Sequence, residues 1–265
     1  MHLFISPHPD DAALSCGGLI HQLAQTGQAV CILTTMGGDP PTPPPDTPLI
    51  RELHARWQAG AQPAALRRAE DAAAAAVLGA SIRFAPLPDC IYRCDPAGTP
   101  LYPTGEYLFA EVRAGLDPAQ PVTPVLTALG ADLARIQRVY LPLAVGNHVD
   151  HQIARGWAAP LRAHLPPSAE LWFYDDYPYS AQPNARSSAL AAWPSAQRDI
   201  QMVLSPTDVR AKIESIRCYQ SQLSTFWANW DVMAAQLTNF MTADGTRPPV
   251  ELYWTGENLG DDRPT

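Results

Sequence analysis

A chain of 265 residues that is 46% hydrophobic and 17% charged can bury a substantial core, which excludes a disordered protein. Its 18 Lys and Arg against 26 Asp and Glu leave a net charge of −8, and with no basic cluster to offset it the surface repels nucleic acid and anionic membranes. Five cysteines, Cys16, Cys31, Cys90, Cys94 and Cys218, are odd in number and irregular in spacing, so they read as packed thiols and not as a disulfide framework.

Residues 2–6 (HLFIS) read as a first strand, 11–25 as a helix and 29–35 (AVCILTT) as a second strand. Segment 36–48 is proline-rich and cannot be regular, because proline lacks the amide donor; it follows a strand end, where ligand-contacting loops sit in α/β folds. Helical patterns cover 49–58 and 64–79, Gly79 stops the second, and 81–86 is a third strand. Residues 86–105 form a long loop, 106–115 and 121–134 read as helices, and 138–144 is a fourth strand followed by a helix over 151–164. Segment 170–180 starts as a strand and breaks into an aromatic, acidic loop. A strand over 199–204, helices over 206–222 and 229–241, and a last strand at 250–254 complete the chain. This alternation predicts an α/β fold in a single domain over 1–265: a mostly parallel sheet flanked by helices, with a less regular C-terminal third that adds an antiparallel edge.

No apolar run is long enough to cross a bilayer, so no integral membrane segment is expected. No charged segment with an apolar stretch and a cleavage site precedes the first strand, and the expectation is a cytoplasmic protein. Oligomeric state is not legible in the sequence.

Two segments carry chemistry. Ser6-Pro7-His8-Pro9-Asp10-Asp11 lies at the end of strand one, and Gly146-Asn147-His148-Val149-Asp150-His151 at the end of strand four. In a parallel sheet both ends open on one edge, so the two turns converge in one crevice. Catalytic zinc takes three His or carboxylate ligands and keeps one position for water; His8, Asp11 and His151 supply that set. Bound zinc acidifies its water, and Asp10 is placed to accept the proton. A protonated His148 would stabilise the oxyanion, and Asp150 would hold a ring nitrogen or tune Asp10. The same ligand set accepts Fe2+. The plainer alternative makes Asp10, Asp11 and Asp150 helix caps and the histidines hydrogen-bonded polar residues near the surface.

His8-Pro9-Asp10-Asp11 followed by Cys16-Gly17-Gly18, and then His148-Val149-Asp150-His151, resembles the LmbE/PIG-L family of metal-dependent de-N-acetylases. Its members include deacetylases of N-acetylglucosaminyl-phosphatidylinositol, of mycothiol and bacillithiol precursors, and of chitooligosaccharides. The resemblance implies a Rossmann-like sandwich and a small N-acetylated sugar as substrate. It implies His8, Asp11 and His151 as zinc ligands, Asp10 as base, and His148 as the group that assists the oxyanion or leaving group. Weaker echoes are Arg67-Arg68-Ala69-Glu70 before Leu78-Gly79, and Lys212 with Tyr219-Gln220-Ser221-Gln222. Arg67 is a candidate for binding a substrate hydroxyl or phosphate, or else part of a solvated helix face.

The chain departs from the family at Ala12, where many members carry Glu. Tyr174-Asp175-Asp176-Tyr177-Pro178-Tyr179 offers aromatic faces and carboxylates suited to a sugar, with Asp176 and Tyr177 as candidate substrate contacts. Trp227 and Trp230 read as core. Two competing readings keep the metal but change the bond, as an amidase or esterase on another small molecule, or drop catalysis altogether for a sugar- or nucleotide-binding relative. The first turn lacks Gly-x-Gly-x-x-Gly, and its aspartates repel a pyrophosphate.

Overall fold

The computed structural model describes residues 1–256, apart from 59, 61, 194 and 195. Seven strands, β1 His2–Ser6, β2 Val30–Thr34, β3 Ser81–Phe84, β4 Arg138–Pro142, β5 Glu170–Tyr174, β6 Ala196–Val203 and β7 Val250–Gly256, form one sheet in the order β3-β2-β1-β4-β5-β7-β6. The first five strands of that order are parallel, and β7 runs antiparallel to both β5 and β6. The α/β architecture and its antiparallel C-terminal edge are those expected from the strand–helix alternation.

Every residue of β1 and β2 is buried, which suits central strands covered on both faces. Side chains alternate between faces, so the short strands feed two cores. Leu3, Ile5, Leu33, Val139, Leu141 and Phe173 point to one side and pack on Ile153, Trp157 and Leu161. Phe4, Ile32, Tyr140, Trp172 and Tyr253 point to the other and pack on Ala13, Leu19, Ala74 and Leu78. The helices behind these contacts include α1 Asp11–Gln25, α2 Pro48–Trp57, α3 Pro63–Leu78, α4 Thr123–Leu129, α5 Val149–Gly156 and α6 Ala158–Arg162. Further along come α7 Ala185–Ala191, α8 Pro206–Ile216, α9 Leu223–Phe226 and α10 Trp230–Thr242. Among the described residues no helix is long and apolar enough to cross a membrane.

Several expected helices are shorter or broken. Segment 106–115 holds only a 3-10 turn over Gly105–Phe109. Segment 121–134 breaks at Gly130, whose φ of 51° leaves the helical region. The helix expected over 151–164 begins at Val149 and is interrupted at Trp157, where Pro160 cannot donate to the carbonyl four residues back. The helix expected over 206–222 ends at Ile216. Helix α7, after the aromatic, acidic segment that follows β5, was not anticipated from the sequence.

The chain leaves β1 for β2 on one side, while β4 lies on the other. The C-terminal ends of β1 and β4 therefore flank the switch point of the sheet, where α/β folds open a crevice.

Candidate active site

The turn after β1 is held by its own side chains. Ser6 Oγ accepts from the Ala12 amide at 3.0 Å, and Asp11 Oδ2 accepts from the His8 amide at 2.8 Å. Asp10 precedes α1 with φ 128° and no side-chain cap bond. A non-glycine residue in that region costs about 1–3 kcal/mol and persists only where its surroundings enforce it. The capping role proposed as the plainer alternative thus falls to Ser6, and the Asp10 carboxylate is left for the crevice. At the second turn His148 is the residue preceding α5, its Nδ1 accepting from the Asp150 amide at 3.3 Å, so Asp150 is not the cap either.

The two turns converge. Asp11 Oδ2 lies 3.2 Å from His8 Nδ1 and 3.2 Å from His151 Nε2. Those separations resemble the edge of a tetrahedral zinc site, about 3.4 Å for bonds of about 2.1 Å. The opposite nitrogen of each ring is already taken. His8 Nε2 meets Asp150 Oδ2 at 2.9 Å, and His151 Nδ1 meets Asp176 Oδ1 at 2.7 Å. His151 Nε2 is buried with no hydrogen-bond partner of acceptable geometry, an orphan that a cation would satisfy. A ring nitrogen of His148 also lies within 4.8 Å of one on His8 and one on His151. The donor set is that of a divalent transition-metal site, with a carboxylate behind each histidine to fix its tautomer.

Burial opposes a positive charge on His8 and His151. The hydrogen bonds of His8 to Asp11 and Asp150 outweigh it and hold that ring well above its ordinary value, while Asp11 and Asp176 push His151 up to about 10. The pocket therefore favours positive charge between these groups, the charge a metal ion would bring. Burial and the neighbouring Asp11 push Asp10 up to about 8, against the pull of Arg67, whose guanidinium lies 3.7 Å away. His148 goes the other way: burial, then the charge on His8, hold it well below its ordinary value. These surroundings oppose the protonated His148 expected from the sequence. With Nδ1 accepting from the backbone, its proton resides on Nε2, which remains a donor.

The carboxylate of Asp150 is anchored from behind by Arg93, which the sequence reading passed over. Arg93 is fully buried and reaches Asp150 Oδ1 at 2.5 Å and Asp117 at 2.9 Å, and Tyr102 donates to Asp117 at 2.7 Å. Burial resists the Asp150 charge, but Arg93 and His8 hold its carboxyl well below the usual range. Asp176 was expected to touch substrate. It is buried against His151 and accepts from the Val145 amide at 2.9 Å, so it braces the His151 ring. Tyr177 is also buried, its amide donating to Ser15 Oγ and its ring packing against Trp227 and Phe240. Trp227 is buried as well, while Trp230 is partly buried and packs against the same cluster.

Arg67 sits beside Asp10, with Asp89 Oδ2 at 3.4 Å and the Trp57 ring beneath it, so it faces the site and not a solvated helix surface. The weaker motif echoes resolve into structural staples. Glu70 accepts from the Ser221 amide and hydroxyl at 2.8 and 2.6 Å, and Lys212 pairs with Glu251 at 2.6 Å. Glu251 in turn accepts from the amides of Gly18 and Leu19. A Cβ on Gly18 would lie 2.4 Å from Leu204, which explains a glycine there. Asp89 was missed although it follows β3 at the same sheet edge, a position the loop 86–105 already marked.

A profile of the family described as PIG-L, GlcNAc-PI de-N-acetylase, matches residues 3–159. The chain is 31% identical over 229 residues to 2′-N-acetylparomamine deacetylase of Streptomyces fradiae, covering 83% of this chain and 72% of that protein. Its fold superposes on the zinc-inhibited form of the teicoplanin deacetylase Orf2 with a TM-score of 0.77 at 23% identity, over 98% of this chain and 99% of the other. The 4-carboxy-2-hydroxymuconate hydratase GalB of Pseudomonas putida shares the fold more distantly, with a TM-score of 0.54 at 17% identity over 100% and 98% of the two chains. Fold similarity at this level leaves the reaction to be argued from the site.

Proposed function

Because the chain belongs to the PIG-L family of de-N-acetylases, we propose that it is a metal-dependent hydrolase that removes the N-acetyl group from a small amino-sugar conjugate, acting as one domain in the cytoplasm. The observation that carries this reading is the convergence of His8 Nδ1, Asp11 Oδ2 and His151 Nε2 at the sheet's switch point, with the rear nitrogens of both rings already bonded to Asp150 and Asp176. These three atoms would hold Zn2+, with Fe2+ as the alternative that the same donors accept. When bound, such an ion supplies a Lewis acid that polarises the amide carbonyl and acidifies water.

The remaining roles belong to the chain. Asp10 takes the proton from the attacking water, and burial beside Asp11, by raising its pKa, makes its carboxylate a stronger base. His148 Nε2–H donates to the carbonyl oxygen as negative charge develops there. Asp10 then delivers its proton to the departing nitrogen, so the amide C–N bond breaks to acetate and a free amine. Arg67, held over Trp57 beside Asp10, binds a substrate oxygen. A non-catalytic relative would have no use for Asp10 held at a strained backbone angle beside the ligand set.

Elemental analysis of the purified protein, followed by assay of amine release from N-acetylated sugars and acetate release from O-acetylated ones, tests the assignment. One equivalent of zinc or iron, lost in His151→Ala, together with cleavage of N-acetyl but not O-acetyl substrates, is the expected result. Absence of metal after reconstitution overturns it, and preference for the ester moves the assignment to an esterase.

A further inference from the structure

Lys212 is the only lysine in a chain whose other basic side chains, histidine aside, are all arginine. It is buried on α8, and its Nζ meets Glu251 of β7, also buried, at 2.6 Å. The pair reaches into helix α1. Lys212 Nζ donates to the Ser15 carbonyl at 3.1 Å, and Glu251 Oε2 accepts from the Leu19 amide at 2.9 Å. In an α-helix a carbonyl and the amide four residues later are the two halves of one rung. The ion pair therefore grips both halves of a single rung, and the Gly18 amide adds a bond to Glu251 Oε1 at 2.8 Å. Side chains that enter the ladder in this way fix where a helix bends. Two glycines admit them: a Cβ on Gly17 would lie 3.0 Å from Lys212 Cγ, and one on Gly18 would lie 3.0 Å from Glu251 Oε1.

Ser15 lies one turn beyond Asp11 in α1, so the two share a helix face. Its hydroxyl accepts from the Tyr177 amide at 3.2 Å. Tyr177 lines a cavity of about 830 Å3 between the segment that follows β5 and helix α10. It also directly follows Asp176, whose carboxylate holds His151 Nδ1 at 2.7 Å. Asp11 Oδ2 and His151 Nε2, 3.2 Å apart, thus belong to segments that Ser15 ties together. One route from Ser15 runs back along α1 to Asp11, and the other crosses Tyr177 and Asp176 to His151.

We propose that Lys212, Glu251 and Ser15 are positioning residues of the reaction centre: the ion pair locks the Ser15 turn of α1, and Ser15 sets the separation of Asp11 from His151. A buried ion pair adds little net stability over well-packed apolar groups, so what it supplies here is a fixed position. The compact ammonium of lysine suits the narrow gap that Gly17 leaves. This assignment rests on the metal-dependent reading of the crevice.

Ser15→Ala removes the joint, and Lys212→Met combined with Glu251→Gln removes the lock without stranding a charge. Leu161→Ala opens a cavity in the core on the opposite face of the sheet and is the control for lowered stability. Each protein is loaded with Co2+ and its visible spectrum recorded, and its affinity for Zn2+ is measured by competition with a chelator. Amine release from N-acetylglucosamine and N,N′-diacetylchitobiose is followed in parallel. Ser15→Ala and the double variant are expected to bind Zn2+ about tenfold more weakly, to shift the Co2+ bands and to lose about tenfold in kcat at unchanged KM. Leu161→Ala lowers Tm and keeps the wild-type affinity and spectrum. If the double variant does not fold, Ser15→Ala decides. Wild-type affinity and spectrum in Ser15→Ala, or an equal loss in Leu161→Ala, overturn the proposal and leave the deacetylase reading standing. Weaker binding and shifted bands in the variants, with no amine released even by the wild type, keep the positioning role and sink the hydrolase. No metal bound by the wild type sinks both.

Discussion

The crevice at the ends of β1 and β4 and the cavity beside α10 stand one aromatic side chain apart and are built on opposite plans. In the crevice His8 and His151 are each braced by a carboxylate, and one of those carboxylates, Asp150, is braced again by the fully buried Arg93. In the cavity the wall is aromatic, and the polar atoms of Thr225 and Arg247 lack partners. Buried charge pairs behind the two histidines hold their rings in fixed orientations. The cavity offers aromatic area instead, from Tyr177, Trp227 and Phe240. The difference is in how side chains are held: buried charge pairs brace the crevice, and aromatic packing forms the wall of the cavity.

The sharpest way to break that division is Asp10→Asn. It should lower kcat by about 10²–10⁴, the range for a positioned general base, while elemental analysis finds the metal content unchanged. Metal lost along with activity would move Asp10 into the ligand set. Next in size is Arg93→Met, which strands Asp117 and Asp150 as buried charges and should cost about 3–5 kcal/mol in denaturant unfolding. A folded variant of wild-type stability would show the network to be dispensable. His148→Ala should reduce kcat by about 10²–10³ with little change in KM, as for loss of one oxyanion donor. Because a ring nitrogen of His148 lies within 4.8 Å of nitrogens on both His8 and His151, a drop in bound zinc here would make it a ligand instead.

Asp176→Asn should weaken metal binding by about 10–100-fold, measured by competition with a chelator, and should leave the KM for an N-acetylated sugar unaltered once metal is restored. A change in that KM would return Asp176 to the substrate-contacting role first expected for it. The smallest effect is a control at the far end of β1. Burial, with the Arg138 charge adding, lowers His2 to about 4, so the folded protein favours its neutral form. Its stabilising contribution is fully present above about 6.5, the value of a free histidine, and is lost as pH falls toward about 4. His2→Gln should flatten the fall of Tm over that interval and leave activity near neutral pH intact.

What could be read without coordinates follows from short-range rules. Strand–turn–helix junctions at 2–11 and 138–151 were legible because apolar runs, prolines and paired acids mark them locally, and a parallel sheet brings such junctions to one edge. The expected helix over 106–115 failed because its apolar residues divide between surroundings: Leu108 and Val112 pack on a buried cluster, whereas Tyr107 and Phe109 remain exposed and Phe109 packs against His148 and Tyr179. Asp176 was expected from the sequence as a substrate contact, and its pairing with His151, 25 positions earlier in the chain, is not marked by any local pattern.

The sequence alone determined the chemistry on offer: which side chains can ligate, take a proton or donate one, and that both turns lie at strand ends. Only the tertiary structure decided how those groups divide the work. Which nitrogen of His8 and His151 faces the centre is set by Asp150 and Asp176, and Arg93 reaches Asp150 across 57 positions of chain. The cavity is likewise assembled from the segment after β5, α9, α10 and the turn that follows, which no local pattern joins. Hydrogen-bond direction, burial and void space are properties of packing between distant segments, and spacing along the chain carries no record of them.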